Sequence, residues 1–377
     1  MAGKHIRAGL VRGLLVAGCF ALGACSLSYY GQAANGELAV LSKRKPIKAV
    51  IADSATSTEV RKKLEFVMVA RKYAVTALGL PDNESYKTYV KLDRAYPVWV
   101  VFAAPEFSLK PQTWCFPFSG CVPYRGYFEQ KAALAFADKL AQEGKDVYVD
   151  GAPAYSTLGW FADPVYSSML EWNDVALAGT IFHELAHQKL YVKGDSAFNE
   201  SFADTVEDIG IERFFSTHDP ALLPLWSKQR GSNLATAKYV EETRASLLVI
   251  YASKVSDTQK REEKRAEYQW LAERFRQSGK RFGITYSPGW LDNLNNASFA
   301  QMNTYDRWIP AVHQLLACVN GDLPAFYKAA KRIGALSRED RTARLQALAT
   351  LKESGANANA VCKAYRAPGS VVAAQRG

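Results

Sequence analysis

The chain has 377 residues, 48% of them hydrophobic, with 47 Lys and Arg against 37 Asp and Glu for a formal charge of +10. That content of apolar residues excludes a disordered polymer, no 20 to 50 residue repeat marks a solenoid, and the length allows one large domain or two ordinary ones. The basic surplus would suit anionic headgroups or acidic substrates. No nucleic-acid motif accompanies it, so nucleic acid is not an expected partner.

Lys4, Arg7 and Arg12 precede an apolar run from Leu14 to Leu22 that ends in small residues, the pattern of an export signal. It is too short and wrongly flanked for a stable membrane span, and no other stretch of about 18 apolar residues exists. Leu22, Gly23, Ala24 and Cys25 resemble the lipobox of bacterial lipoproteins. The resemblance implies a signal over 1–24, a lipid anchor on Cys25 that tethers the protein to the membrane, and, with Ser26 following, an outer-membrane location facing the periplasm. Loss of the three basic signal residues leaves +7. Export also changes the meaning of Cys115, Cys121, Cys318 and Cys362, for which two disulfides are the expected count. Cys115 with Cys121 would close the loop WCFPFSGC and Cys318 with Cys362 would tie a late helix to the C-terminal segment, with other pairings open.

Along the chain, Ser57 to Leu78 repeats apolar residues at helical spacing, and Gly79 with Pro81 supplies a stop. Tyr96 to Ala103 and Lys145 to Asp150 are short β-branched and aromatic runs expected to be strands, with an Ala-rich helix from Glu129 to Glu143 between them. A third strand, Tyr155 to Phe161, leads through Asp163 and Pro164 into a helix. It is either an edge on which a peptide substrate lies, with Tyr155 and Trp160 shaping a side-chain pocket, or an ordinary core strand. Beyond that, the chain reads as helical, with a hairpin over 233–277 that breaks near Ser256 and Asp257. The expectation is an α+β, mainly helical fold with a small mixed sheet beside the helix that follows Pro164. No linker divides it, so one domain is expected over 25–365, sheet-containing to about 170 and helical beyond, before a disordered tail over 366–377.

Gly179 to Leu190 reads GTIFHELAHQKL. Residues four apart on a helix lie about 40° from each other around its axis, so His183 and His187 project toward a common point. Glu184, one step round, is placed to act as general base on the attacking water. Thirteen residues after His187, Glu200, in NESFAD, follows a loop containing Gly194 and comes from the start of a second amphipathic helix. Two imidazoles and one carboxylate make a Zn2+ site with a position left open for catalysis. The competing reading makes the histidines core residues and Glu200 a helix-start carboxylate favoured by the dipole.

HELAHQ followed by NESFA resembles the metal motif of gluzincin metallopeptidases, including aminopeptidase N, with a shorter spacer. Together with YYGQAANGEL, YRGYF, YSTLGWFADP and NNA with a downstream Tyr, it resembles the lipoprotein family described as putative aminopeptidases. That resemblance implies a gluzincin-like zinc peptidase hydrolysing peptides in the cell envelope. It also implies that Asp204, one turn beyond Glu200, accepts the outer N–H of a ligand His, and that Tyr305 stabilises the oxyanion, with Tyr239 and His313 as rivals. His218, beside Asp219 and Pro220, is expected to be a turn residue. Asp163 or Glu171 is a candidate to meet a substrate amine. The Gly-x-Met-Glu-Asn signature of aminopeptidase N is absent, which leaves aminopeptidase, endopeptidase and a noncatalytic zinc lipoprotein all open.

Overall fold

The computed structural model describes residues 29–116, 120–152, 154, 162–305, 308–351 and 358–365. Cys25, Tyr155, Trp160, the whole strand expected over 155–161 and the tail from 366 lie outside them.

The chain enters through helix α1 (29–42), strand β1 (Lys45–Pro46), α2 (Ile47–Ala52) and α3 (Thr58–Thr76). It continues through β2 (Thr88–Val90), β3 (Val98–Pro105), β4 (Trp114–Phe116), β5 (Gly120–Val122), β6 (Tyr124–Tyr127), α4 (Gln130–Gln142), β7 (Lys145–Ala152) and β8 (Val165–Tyr166). A single 3-10 turn, Ser167–Glu171, then leads into α5 (Asp174–Lys189) and α6 (Ser196–His218). The long hairpin α7 (Leu223–Ala252) and α8 (Asp257–Phe282) follows. The remainder comprises α9 (Pro288–Asp292), α10 (Asn296–Tyr305), α11 (Ile309–Cys318), α12 (Leu323–Gly334), α13 (Arg338–Ala349) and α14 (Ala358–Lys363). The fold is mainly helical with small sheets.

The first two of the three expected strands form and pair with each other, from Val98 opposite Ala152 to Pro105 opposite Lys145. β3 starts two residues later than its aromatic run suggests, because Pro97 has no N–H to give a ladder. With β6 on its other side it makes a three-stranded antiparallel sheet. Val101 and Ala103, on one face by the two-residue period, pack against Ala133, Ala137 and Leu140 of α4. The mixed sheet is a separate one. It is built from β1, β2 and β8, with β2 parallel to β8, and its strands are two or three residues long. Disulfides join Cys115 to Cys121 across β4 and β5, and Cys318 to Cys362 between α11 and α14.

Helix boundaries follow local chemistry. Ser57 Oγ accepts from Val60 N at 3.3 Å to start α3, and Gly79, at φ +67°, turns the chain after it. The α7–α8 hairpin breaks where expected, and Ser256 Oγ caps α8 through Gln259 N at 3.2 Å.

The largest apolar core gathers α3, α5, α6, α11, α12 and α13, with the mixed sheet at its side. Ile181, Phe182 and Leu185 of α5 are fully buried in it, each contributing on the order of 2 kcal/mol. Helices α5 and α6 pack side by side here, and the crossing is tight. A Cβ on Gly210 would stand 2.7 Å from Phe182 Cδ2 and 2.9 Å from Leu78 Cδ1.

Asn296, fully buried at the start of α10, fastens the hairpin to the antiparallel sheet. Its amide donates to Pro105 O at 3.0 Å and Glu106 O at 2.9 Å and accepts from Tyr251 at 2.7 Å and Tyr268 at 2.6 Å. Its backbone N–H reaches Asp146 Oδ2 at 2.9 Å, which also binds Lys264 Nζ at 2.6 Å.

Candidate metal centre

Asn173 Oδ1 accepts from Ala176 N at 2.9 Å and begins α5, while Asp174 sits in the first turn where the helix dipole favours a carboxylate. From there His183 and His187 fall on one face, their ring centroids 4.8 Å apart and their planes at 81°. The second helix begins earlier than its motif suggests. Asp195 Oδ1 accepts from Phe198 N at 3.2 Å, and Arg341 Nε holds the other oxygen at 2.7 Å, so α6 starts at Ser196 and Glu200 lies in its second turn. Buried Asn199 folds the connecting segment back: Val192 N donates to its Oδ1 at 2.7 Å and its Nδ2 donates to Val192 O at 2.9 Å.

The three expected ligand atoms converge. His183 Nε2 lies 3.1 Å from His187 Nε2 and 3.3 Å from Glu200 Oε2, and His187 Nε2 lies 3.4 Å from Glu200 Oε2. A tetrahedral ion with bonds of about 2.1 Å separates its ligand atoms by about 3.4 Å, so this triangle has the size such an ion requires. Two facing ring nitrogens need a proton or a cation between them, and two nitrogens with one oxygen form a suitable donor set. The side chains of His183 and Glu200 keep 15% and 20% of their exposure.

Behind it, Asp204 Oδ1 lies 3.1 Å from His183 Nδ1 as an ion-pair contact. Glu207 Oε2 lies at the same 3.1 Å from that nitrogen. In the sequence Glu207, with Asp208, continues the acidic face that Asp204 begins. The visible signal is the spacing of Glu200, Asp204 and Glu207 at i, i+4 and i+7. Among the described residues, His187 Nδ1 is buried with no hydrogen-bond partner.

Burial opposes charge on His183, but its contacts with Asp204, Glu200 and Glu207 outweigh this and hold its pKa well above the ordinary value. Burial would raise Glu200, yet the two imidazoles lower it to about 2. Burial also raises Asp204, against the pull of His183. In the metal-free protein the pocket therefore holds a proton where a divalent ion would bind. The raised His183 contributes stability that is complete below its unfolded value of about 6.5 and fades as pH climbs through the higher folded value. Chelated protein should lose melting temperature on going from about pH 6.5 to alkaline pH, while metal affinity rises over the same window; thermal melts and metal titrations across pH measure both.

The motif's last residue is also engaged. Gln188 Nε2 donates to Asp163 Oδ2 at 3.2 Å and Ser85 Oγ at 3.3 Å, and its carbonyl accepts from Asn83. Arg71 grips the same loop through Ser85 O at 2.7 Å. Tyr86 ends it in the left-handed region at φ +61°, its N–H on Asp163 O at 2.6 Å. For a tyrosine that backbone costs about 1–3 kcal/mol, a strain that gathers at functional sites. Burial, then the charges of Glu184 and Asp163, keep its phenol neutral. Tyr191 is likewise raised by burial and by Glu200. Neither tyrosine stands out in a sequence with nineteen of them.

Among the rival residues, Tyr239 packs edge-on to Trp270 at 6.2 Å within the hairpin, and His313 Nε2 lies 3.0 Å from Asp208. His218 is the last residue of α6, where it stacks on Phe214 at 4.1 Å, and not the turn residue expected beside Pro220. Asp163 is buried against Gln188, and Glu171 is exposed. Tyr305 closes α10, but its side chain lies outside the described residues. Trp308 N donates to Ser201 Oγ at 3.1 Å, which brings the segment after α10 to the neighbour of Glu200.

No curated protein and no solved structure matches this chain. Residues 28–345, most of its length, match the family model described as "Putative aminopeptidase". The chain belongs to that family, and at this coarse level it is a peptide-bond hydrolase.

Proposed function

We propose that the protein is a zinc-dependent peptidase of the gluzincin type, lipid-anchored through Cys25 at the outer membrane and acting as an aminopeptidase on envelope peptides. The observation that carries this reading is the triangle of His183 Nε2, His187 Nε2 and Glu200 Oε2 with sides of 3.1, 3.3 and 3.4 Å. Zinc, when bound, supplies a Lewis acid for the scissile carbonyl and lowers the pKa of the attacking water toward neutrality. His183, His187 and Glu200 hold it. Glu184 takes the water's proton and passes it to the leaving amine, and Asp204 steadies His183 from behind. Tyr305 is assigned the oxyanion, and Tyr155 with Trp160 the substrate's side-chain pocket.

The missing Gly-x-Met-Glu-Asn signature favours a second reading, an endopeptidase. Paired peptides with free and blocked amino termini separate the two. Cleavage restricted to the free amine supports the aminopeptidase, cleavage of both supports the endopeptidase, and no cleavage by metal-loaded protein defeats the peptidase reading. Metabolic labelling with palmitate, compared between the native chain and Cys25→Ala, tests the anchor.

A further inference from the structure

His183 Nδ1 has one proton to give and two carboxylates to receive it. Both approach to 3.1 Å, but only Glu207 Oε2 meets the directional requirement of a hydrogen bond, while Asp204 Oδ1 makes an ion-pair contact alone. An imidazole N–H donates along one line, so equal distance does not mean equal partnership.

Glu207 reaches that line because of a residue on the facing helix. Gly179 stands one turn before His183, and a Cβ there would lie 2.6 Å from Glu207 Oε1 and 3.0 Å from Ile211 Cδ1. One oxygen of Glu207 fills the space that a side chain at 179 would take, and the other meets the imidazole. Among the described residues His187 offers no parallel arrangement, its Nδ1 being buried without a hydrogen-bond partner there. Fixing an imidazole tautomer from behind therefore falls to His183. An outward N–H there leaves the Nε2 lone pair directed at the ligand triangle.

We propose that Glu207, seated over Gly179, is the principal positioning residue of the metal centre, with Asp204 its auxiliary. The proposal rests on the metal reading above. It is tested on the purified chain by competing zinc against a chromophoric chelator, and by ring-nitrogen NMR of His183 in the metal-free protein.

Glu207→Ala should lower zinc affinity about 10–100-fold, Glu207→Gln should recover part of the loss, and Asp204→Asn should lose less than Glu207→Ala. Gly179→Ala, which displaces Glu207 without changing it, should weaken zinc in the same direction and add little on top of Glu207→Ala, because the two substitutions break one contact. It also serves if Glu207→Ala fails to fold. The His183 Nδ1–H signal should shift in both. Unchanged zinc affinity in Glu207→Ala, a larger loss in Asp204→Asn, or full additivity with Gly179→Ala would overturn the assignment. His187→Ala is the control that separates the two levels. If the native chain binds zinc no better than that variant, the metal reading itself falls; if it binds well and Glu207→Ala binds equally well, only the role of Glu207 does.

Discussion

Glu184→Gln is expected to keep its full complement of zinc and to lose kcat by about 10²–10⁴-fold, the share of a barrier that a general base carries. Glu184 follows His183 on α5 and stands outside the group of side chains whose atoms converge on a metal position. In the proposed mechanism its carboxylate takes the water's proton, and glutamine, of nearly the same size, cannot accept it. Steady-state rates on peptides alongside elemental analysis give both halves of the result. Normal turnover in the variant would remove Glu184 from the mechanism, whatever the metal content.

Glu200→Ala should do the opposite and fail at the metal. It deletes the one oxygen of the triangle and leaves two neutral ring nitrogens 3.1 Å apart as the remaining ligand atoms of that triangle. Structural zinc sites with four protein ligands bind with roughly 10–16 kcal/mol, so loss of one ligand is worth about 3 kcal/mol, a drop of about 100-fold in affinity. Activity should fall to that of chelated protein and return in part at high zinc. The pair of variants is informative together: metal retained with no turnover in one, metal lost in the other. A Glu200→Ala protein with native zinc affinity would move the site elsewhere.

What could be read without coordinates follows from length and period. The α3 helix, α4, the α7–α8 hairpin and the strands around Val98 and Lys145 carry enough repeats of 3.6 or 2 residues to be recognised, and the four-residue spacing of His183 and His187 places both rings by helix geometry alone. The mixed sheet was foreseen as one small body, but its strands of two or three residues have no period to detect, and the recognisable strands went into a different sheet. The start of α6 was misplaced because the cap is a lone Asp195, ahead of the motif that draws the eye. Tyr86 at positive φ, the grip of Gln188 on Asp163, and Glu207 against Gly179 are all contacts between segments distant in the chain, set by how α5 meets α6 and the loop after α3.

The knot of bonds at Asn296 bears on how the molecule opens. Four side-chain bonds from one amide hold two helices and the strand end at Pro105–Glu106, so the hairpin cannot lift from the sheet one contact at a time. Stranding a buried amide costs about 1–3 kcal/mol for each group left unpaired, which makes the separation close to all-or-none. The slowest-exchanging backbone protons of α10, α8 and β3 should therefore share one opening free energy, and a protease acting on the native protein should find the α8–α9 connection refractory until that whole unit gives way.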